Sequence, residues 1–141
     1  NRTDCAIITG KHYIMRLFTG IFKPASPIPG TDFAGVVEEI GANVQGFEVG
    51  DRVFGFDDTG LHTMAEYATV PVKKAIAHIP ADIHYDEAAA SVEGLHYALN
   101  FINKVTLHAN QTALVNGAAG AIGSMLVQLL KYHNVNVTAT C

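Results

Sequence analysis

The chain has 141 residues, of which 49% are hydrophobic and 16% charged, and its net charge is −4. This composition is sufficient to bury a core as one ordinary domain or two small ones. The acidic balance excludes nucleic acid and anionic membrane as main partners, and the longest apolar stretch, 118–130, is too short and too rich in glycine to span a bilayer.

The first part of the chain predicts a small, mostly β domain. NRTDCAIITG predicts a short helix with Asp4 as its cap and Gly10 as its stop, and the proline-containing stretch 11–29 is typical of a loop. Strand signals then alternate with turn signals, which favours a barrel or a sandwich. The predicted strands are AGVVEEI (34–40), RVFGF (52–56), AEYATVP (65–71) and AIAHIP (75–80).

From about residue 84 the pattern changes to that of a strand-helix-strand unit. YDEAAASVEGLHYALNFINK predicts a helix that Gly94 interrupts. TALVN (112–116) predicts a buried strand, 121–133 a helix and VNVTATC (135–141) a second strand, parallel to the first. The expected domains are therefore 1–83 and 84–141. The apolar face of the second helix is formed by Ile122, Met125, Leu126, Leu129 and Leu130.

A glycine-spaced turn joins the first of these strands to its helix. Against the dinucleotide fingerprint G-x-G-x-x-G, the match is Ala118-x-Gly120-x-x-Gly123, which requires a negative φ at Ala118. Gly120 would let the backbone approach a pyrophosphate, and Gly123 would let the helix pack closely on the sheet. The alternative is a turn whose glycines serve packing alone. The predicted cofactor-binding residues are Gly117, Ala118, Gly120, Ala121, Ile122 and Gly123.

The acidic residue that binds the ribose in such sites falls about twenty residues after the glycines. This places it at or just beyond Cys141, the last residue. The choice between NADPH and NADH therefore stays open. Because the chain begins at Asn1 and ends on a strand-like run, we expect it to be a piece of a longer protein, with an incomplete second domain.

Five stretches spread over the chain resemble one family. PGTDFAGVVEEIGANVQGFEVGDRVFGF (29–56) is the most specific, and NRTD (1–4), MAEYATVP (64–71), AAASVEG (88–94) and NGAAGAIGS (116–124) match as well. They resemble the medium-chain dehydrogenase/reductase superfamily, in its zinc-independent quinone oxidoreductase (zeta-crystallin-like) branch. The resemblance implies a mixed fold: a GroES-like, mostly β domain followed by the first βαβ part of a Rossmann α/β domain.

The resemblance also implies where a catalytic zinc would be held in other members of the superfamily. The matching positions are Asn1, the pair Thr31-Asp32 and a position near Glu93. Asn and Thr are poor zinc ligands beside thiolate and imidazole, and the seven histidines show no ligand spacing. We therefore predict no metal site.

A pocket without a Lewis acid favours acceptors that spread the charge of the added hydride themselves. Quinones and α,β-unsaturated carbonyls are such acceptors, so the chain is expected to belong to an NADPH-dependent quinone or enone reductase, with NADH not excluded. Two alternatives remain: a catalytically weak cofactor-binding or structural protein of the same fold, and a zinc-type alcohol dehydrogenase. The predicted catalytic residues are Asn1, Asp4, Glu93 and His96.

Each candidate also has a structural interpretation. Asp4 would be a helix cap, His96 a helix-surface residue and Tyr67, a possible proton donor like Tyr13, a packed residue of the β domain. Asp57-Asp58 is expected to be a solvated turn, and Glu38-Glu39 a surface feature of a strand.

Further expectations concern the state of the protein. Two cysteines cannot form a disulfide framework, which predicts reduced thiols and a cytoplasmic location. One βαβ unit leaves strand edges unpaired, so such a piece is expected to be poorly stable alone or to pair with another copy as a homodimer. We also expect these 141 residues alone to be catalytically inert.

Overall fold

The computed structural model describes residues 2–9, 20, 28–57 and 62–141. The chain divides into two compact units, Asn1–Ala89 and Ala90–Cys141. The division falls inside a helix, a few residues after the boundary at 83/84 expected from the sequence, and that expected boundary stays a prediction.

The first unit is built on a short helix and a three-stranded antiparallel sheet whose strands pair in chain order. Val53 and Phe56 of the central strand are buried together with Ile79, which follows the third strand. The elements are α1 (Arg2–Thr9), β1 (Asp32–Val36), β2 (Arg52–Phe56) and β3 (Ala75–His78). β2 is paired on both sides and contains all the buried residues of this sheet, whereas the residues of β1 and β3 are half-buried or exposed.

Arg52 fixes the chain that follows β3 to the central strand. Its guanidinium donates to the carbonyl oxygens of Ala81 (3.3 Å) and Ile83 (2.6 Å) and lies over the ring of Tyr85, 4.6 Å from the centroid. A planar guanidinium can make these contacts simultaneously, whereas an ammonium cannot. The turn that leads into the next helix is therefore held against β2.

Three of the four strands predicted for this unit differ in the structure, although β3 differs only in ending at His78 instead of residue 80. The first ends at Val36, so Glu38 and Glu39 lie beyond it as exposed residues, and their expected surface position is confirmed. AEYATVP (65–71) forms no strand, and Tyr67 is 75% exposed rather than packed. Strand-forming composition is not sufficient, because a segment becomes a strand only when it pairs with a neighbouring strand. Within the described residues, 65–71 pairs with no strand.

The long helix α2 (Tyr85–Ile102) runs through Gly94 without a break, so the predicted interruption is wrong. A Cβ on Gly94 would lie 2.7 Å from the carbonyl oxygen of Ala121 and 3.2 Å from Cγ of Met125. The glycine is present because another helix passes very close at this point, and that contact outweighs its low helix propensity.

The second unit contains the predicted βαβ arrangement. The strands are parallel, with Ala113 opposite Val137 and Val115 opposite Ala139. The core consists of Ile102, Val115, Leu130 and Val135, against which Leu126 and Leu129 also pack, whereas Ile122 of the predicted apolar face is exposed. The elements are β4 (Thr112–Asn116), α3 (Ala121–Tyr132) and β5 (Asn136–Thr140).

Within the described ranges, no helix combines the length and the apolar character needed to cross a bilayer.

Candidate functional site

One cluster of polar side chains lies inside the first unit, where α1 meets the start of β1. Thr31 is 2% exposed and Asp4 5% exposed. The hydroxyl of Thr31 lies 3.5 Å from Oδ2 of Asp4 and 3.3 Å from Oδ2 of Asp32. A hydroxyl has one proton to donate, so it can donate to only one of the two carboxylates at a time.

The sequence around Thr31 explains why it is buried. Gly30 has φ +118°, and a Cβ there would lie 2.6 Å from the backbone nitrogen of Met64. Met64 N–H donates to the carbonyl of Pro29 (3.0 Å), and the hydroxyl of Thr63 donates to the carbonyl of Asp32 (2.7 Å). The segment 62–64 therefore packs on the residues to either side of Thr31 in the PGTD stretch.

The structure corrects two interpretations of acidic residues in this unit. Asp4 is the third residue of α1, in its first turn, and not a cap that precedes the helix. Asp57 is buried, its backbone N–H donates to the carbonyl of Thr31 (3.0 Å), and its carboxylate pairs with Lys74 at 2.6 Å. Asp57 is thus part of the surroundings of Thr31 rather than a solvated turn. Sequence reasoning missed Thr31 itself as a central residue of this cluster, because it treated Thr31 only as an unsuitable metal ligand.

The glycine turn of the second unit has the backbone conformation and spacing that its sequence pattern requires. Gly117 adopts φ +76°, while Ala118 is not among the residues with positive φ, as its place in the fingerprint requires. A Cβ on Gly123 would collide with the carbonyl of Gly117 and lie 2.8 Å from Cα of Ala118. A Cβ on Gly120 would meet only the Gly117 carbonyl oxygen, at 3.4 Å. Gly123 is therefore needed for packing, and Gly120 leaves space beside the backbone.

The backbone amides of this turn divide into two groups. Gly120 N–H donates to Gly117 (3.1 Å), and Ala118 N–H donates to Thr140 (2.9 Å), so these two hold the turn together. The helix begins with a bond from Ser124 N–H to Gly120, and the amides of Ala121, Ile122 and Gly123 have no acceptor within the helix. No side chain caps this end. An anion is the natural partner for such amides at the positive end of the helix dipole.

Glu93 and His96 are half-buried residues of α2 beside Gly94, at the level where this helix passes Ala121. His96 Nε2 accepts from the side-chain amide of Asn100 (3.2 Å), which in the neutral ring places the proton on Nδ1. Both residues thus lie on the helix that packs against the start of α3.

Other predicted site residues have simpler outcomes. Asn1, Tyr13 and Asp58 lie outside the described residues. Over residues 2–9, 20, 28–57 and 62–141, no three His, Cys, Asp or Glu side chains gather in a way that could hold a metal ion.

Comparison with known proteins agrees with this architecture. Residues 1–81 match the alcohol dehydrogenase GroES-like domain. A chloroplast envelope quinone oxidoreductase homolog from Arabidopsis thaliana is 37% identical over 134 residues, and a probable quinone oxidoreductase from Schizosaccharomyces pombe is 36% identical over 137. The chain belongs to the medium-chain dehydrogenase/reductase superfamily, in its quinone oxidoreductase branch. The predicted fold class, a GroES-like domain followed by the start of a Rossmann-like part, is confirmed.

Relatives and solved structures of this superfamily extend well beyond the chain. The two quinone oxidoreductase relatives are covered to 40% of their length, by 86% and 93% of this chain. A 2-methylene-furan-3-one reductase from Solanum lycopersicum is 33% identical over 122 residues, 82% of this chain and 31% of the relative. A mycobacterial protein complexed with NADPH has the same fold, with a TM-score of 0.74 and 24% identity, over 99% of this chain and 40% of that one. This chain of the quinone oxidoreductase branch therefore spans about two fifths of the quinone oxidoreductases that it matches.

Proposed function

We propose that this chain is part of an oxidoreductase that uses NAD(P)H to reduce quinones or α,β-unsaturated carbonyls without a catalytic zinc. The observation that carries the proposal is the turn 117–123. The amides of residues 121–123 have no acceptor in the helix. Gly120 has open space beside it, and Gly123 packs against the end of β4. Family membership supports the assignment, since the relatives include proteins named quinone oxidoreductase.

The residues of the turn fit a dinucleotide. The amides of Ala121, Ile122 and Gly123 would hold the pyrophosphate, and the open side of Gly120 would allow it to approach the backbone. A bound nicotinamide supplies the hydride, while the protein contributes position and electrostatics. We propose NADPH as the cofactor, with NADH not excluded.

The first unit supports an acceptor that itself delocalises the negative charge of the added hydride. Where the superfamily pattern expects a zinc ligand, Thr31 is present, and its hydroxyl lies between two carboxylates. This set can orient a hydrogen-bond donor, but it offers no thiolate or imidazole for zinc. The proposed role of Asp4 is to orient the acceptor oxygen together with Asn1; Glu93 and His96 are proposed to line the nicotinamide side.

Relatives support two classes of acceptor. Those named quinone oxidoreductase point to quinones, and the furanone reductase of Solanum lycopersicum points to conjugated ketones. In either class, hydride addition produces an anion spread over several atoms, which modest hydrogen-bond donors can stabilise.

The test is NADPH oxidation by the full-length protein with benzoquinone, a naphthoquinone and a short enone, each measured before and after treatment with a chelator. We expect saturable turnover with at least one acceptor and no loss after chelation. Binding of NADPH without turnover would favour the catalytically weak alternative. Loss of activity on chelation, together with stoichiometric zinc, would favour the alcohol dehydrogenase type.

Two further expectations remain proposals about the whole protein. Leu114 on β4 is 69% exposed on the face of the small sheet away from α3, which is consistent with a homodimer or further structure covering that face. A cytoplasmic location is likewise a proposal, and it is based on the two cysteines, Cys5 and Cys141, which are free and exposed.

A further inference from the structure

The carboxyl ends of the two parallel strands are joined by a side-chain hydrogen bond. The hydroxyl of Thr140, the last residue of β5, donates to Oδ1 of Asn116, the last residue of β4, at 2.8 Å. The carbonyl of Thr140 also accepts from Ala118 N–H at 2.9 Å. Thr140 is therefore bound to the glycine turn through both its side chain and its backbone.

This bond fixes the orientation of the Asn116 amide. With Oδ1 occupied by the Thr140 hydroxyl, the Nδ2 group and its two N–H donors lie on the other side of the amide. Among the residues that the structure describes, none accepts a hydrogen bond from this nitrogen, and the Asn116 side chain is exposed. The edge of the sheet thus presents an oriented donor.

The position of this donor corresponds to one part of a dinucleotide. Ligands of open α/β sheets bind outside the carboxyl ends of the strands, with the pyrophosphate at the helix start and the adenosine ribose at the end of the second strand. Asn116 directly precedes Gly117 and is bonded to the end of the second strand. Its amide consequently lies at the carboxyl edge of the sheet, next to the glycine turn and the end of the second strand.

We propose that Asn116 is a specificity-determining residue whose amide donates to the 2′-phosphate of NADPH and favours it over NADH. The inference rests on the proposed function. A ribose 2′-hydroxyl is usually held by a carboxylate acceptor, whereas a 2′-phosphate has only acceptor oxygens when ionised and needs donors. Asn116 and Thr140 offer an oriented donor and no negative charge at this edge.

The experiment measures dissociation constants of NADPH and NADH for the full-length protein and two variants, by calorimetric titration. N116D keeps the size of the side chain but replaces the donor with a negative charge. N116A removes the donor without adding charge and keeps the test available if N116D fails to fold. The matched control is Q111E, which adds the same charge just before β4, at the opposite end of that strand, and keeps the side-chain oxygen that accepts from His108 N–H.

We expect N116A to weaken NADPH binding several-fold and, like Q111E, to leave NADH binding within twofold. Because the carboxylate of N116D also repels the pyrophosphate that both dinucleotides share, we expect N116D to weaken NADPH binding at least tenfold and NADH binding far less. If the affinities for NADPH and NADH fall equally, or neither changes, Asn116 only connects the ends of the two strands and the inference is overturned. If the unaltered protein binds neither dinucleotide, the proposed function fails first, and the inference fails with it. A selective loss of affinity for NADPH is the only result that supports the inference.

Discussion

A methyl group on Gly94 would lie 2.7 Å from the carbonyl oxygen of Ala121, so α2 and the first residue of α3 are too close to accommodate a side chain between them. This contact connects the helix that bears Glu93 and His96 to the turn proposed to hold the cofactor. It also explains why a glycine is placed in the middle of an 18-residue helix.

Replacing Gly94 with alanine is therefore expected to destabilise the protein. In an open helix the same change would stabilise by about 1 kcal/mol, because alanine has the higher helix propensity. Here the added methyl group must displace a backbone carbonyl, and we expect a loss of about 1–3 kcal/mol. Urea unfolding measures the sign directly.

The control for Gly94 is G35A, at a position where a methyl group meets nothing within 4 Å. It is expected to change the free energy of unfolding by less than G94A. A stabilising G94A would show that the two helices do not approach as closely as described.

Thr31 gives a second prediction, about the buried cluster. T31V keeps the shape of the side chain but removes the hydroxyl that lies 3.3 Å from Asp32 and 3.5 Å from Asp4. Loss of a buried hydrogen bond to a carboxylate is expected to cost about 1–3 kcal/mol of unfolding free energy. T69V makes the same change at an exposed threonine and should stay within about 0.5 kcal/mol. Equal effects at the two positions would mean that the Thr31 hydroxyl contributes nothing.

Arg52 gives a third prediction, about the turn before α2. R52K retains the charge but cannot reproduce two bonds to the carbonyls of Ala81 and Ile83 together with the contact to Tyr85. We expect a loss of about 1–2 kcal/mol and faster amide exchange over 81–85.

The reverse exchange, K131R, at an exposed lysine of α3, is the control for Arg52 and should have little effect. If R52K is as stable as the unaltered protein, the guanidinium does not hold this turn.

The βαβ unit could be predicted from sequence almost residue by residue, because its signals are local. TALVN forms β4 with the predicted bounds, the helix is one residue shorter at its end, and the second strand is one residue shorter at each end. A short apolar strand, a glycine turn and an amphipathic helix all depend on neighbouring residues, which a sequence shows directly. The expected burial of the first strand is wrong, since only Val115 of β4 is buried.

What could not be predicted depends on contacts between distant segments. Gly94 looked like a helix breaker because its partner, Ala121, is 27 residues away in sequence. From the sequence, Asp57 is expected to be solvated because its ion-pair partner, Lys74, is distant along the chain. AEYATVP has strand composition, but among the described residues no strand pairs with it. From the sequence, Thr31 is recognisable only as an unsuitable metal ligand, since nothing local indicates that the buried Asp4 of α1 lies against its hydroxyl.

The glycine turn allows the packing role of one glycine to be separated from the binding role of another. G123A would drive a methyl group into the carbonyl of Gly117, so it should lower both stability and cofactor affinity. Gly120 has φ −79° and ψ 164°, an extended conformation that alanine adopts easily, and its Cβ would meet the chain only at 3.4 Å. G120A should therefore keep the unfolding free energy within about 1 kcal/mol.

The most direct measurement is a titration of NADPH into the full-length protein and its G120A variant, with urea unfolding of both. If the amides of 121–123 hold the pyrophosphate, the unaltered protein binds NADPH saturably, and G120A binds it at least tenfold more weakly at nearly unchanged stability. Equal affinity of the two proteins would contradict a phosphate site at this turn.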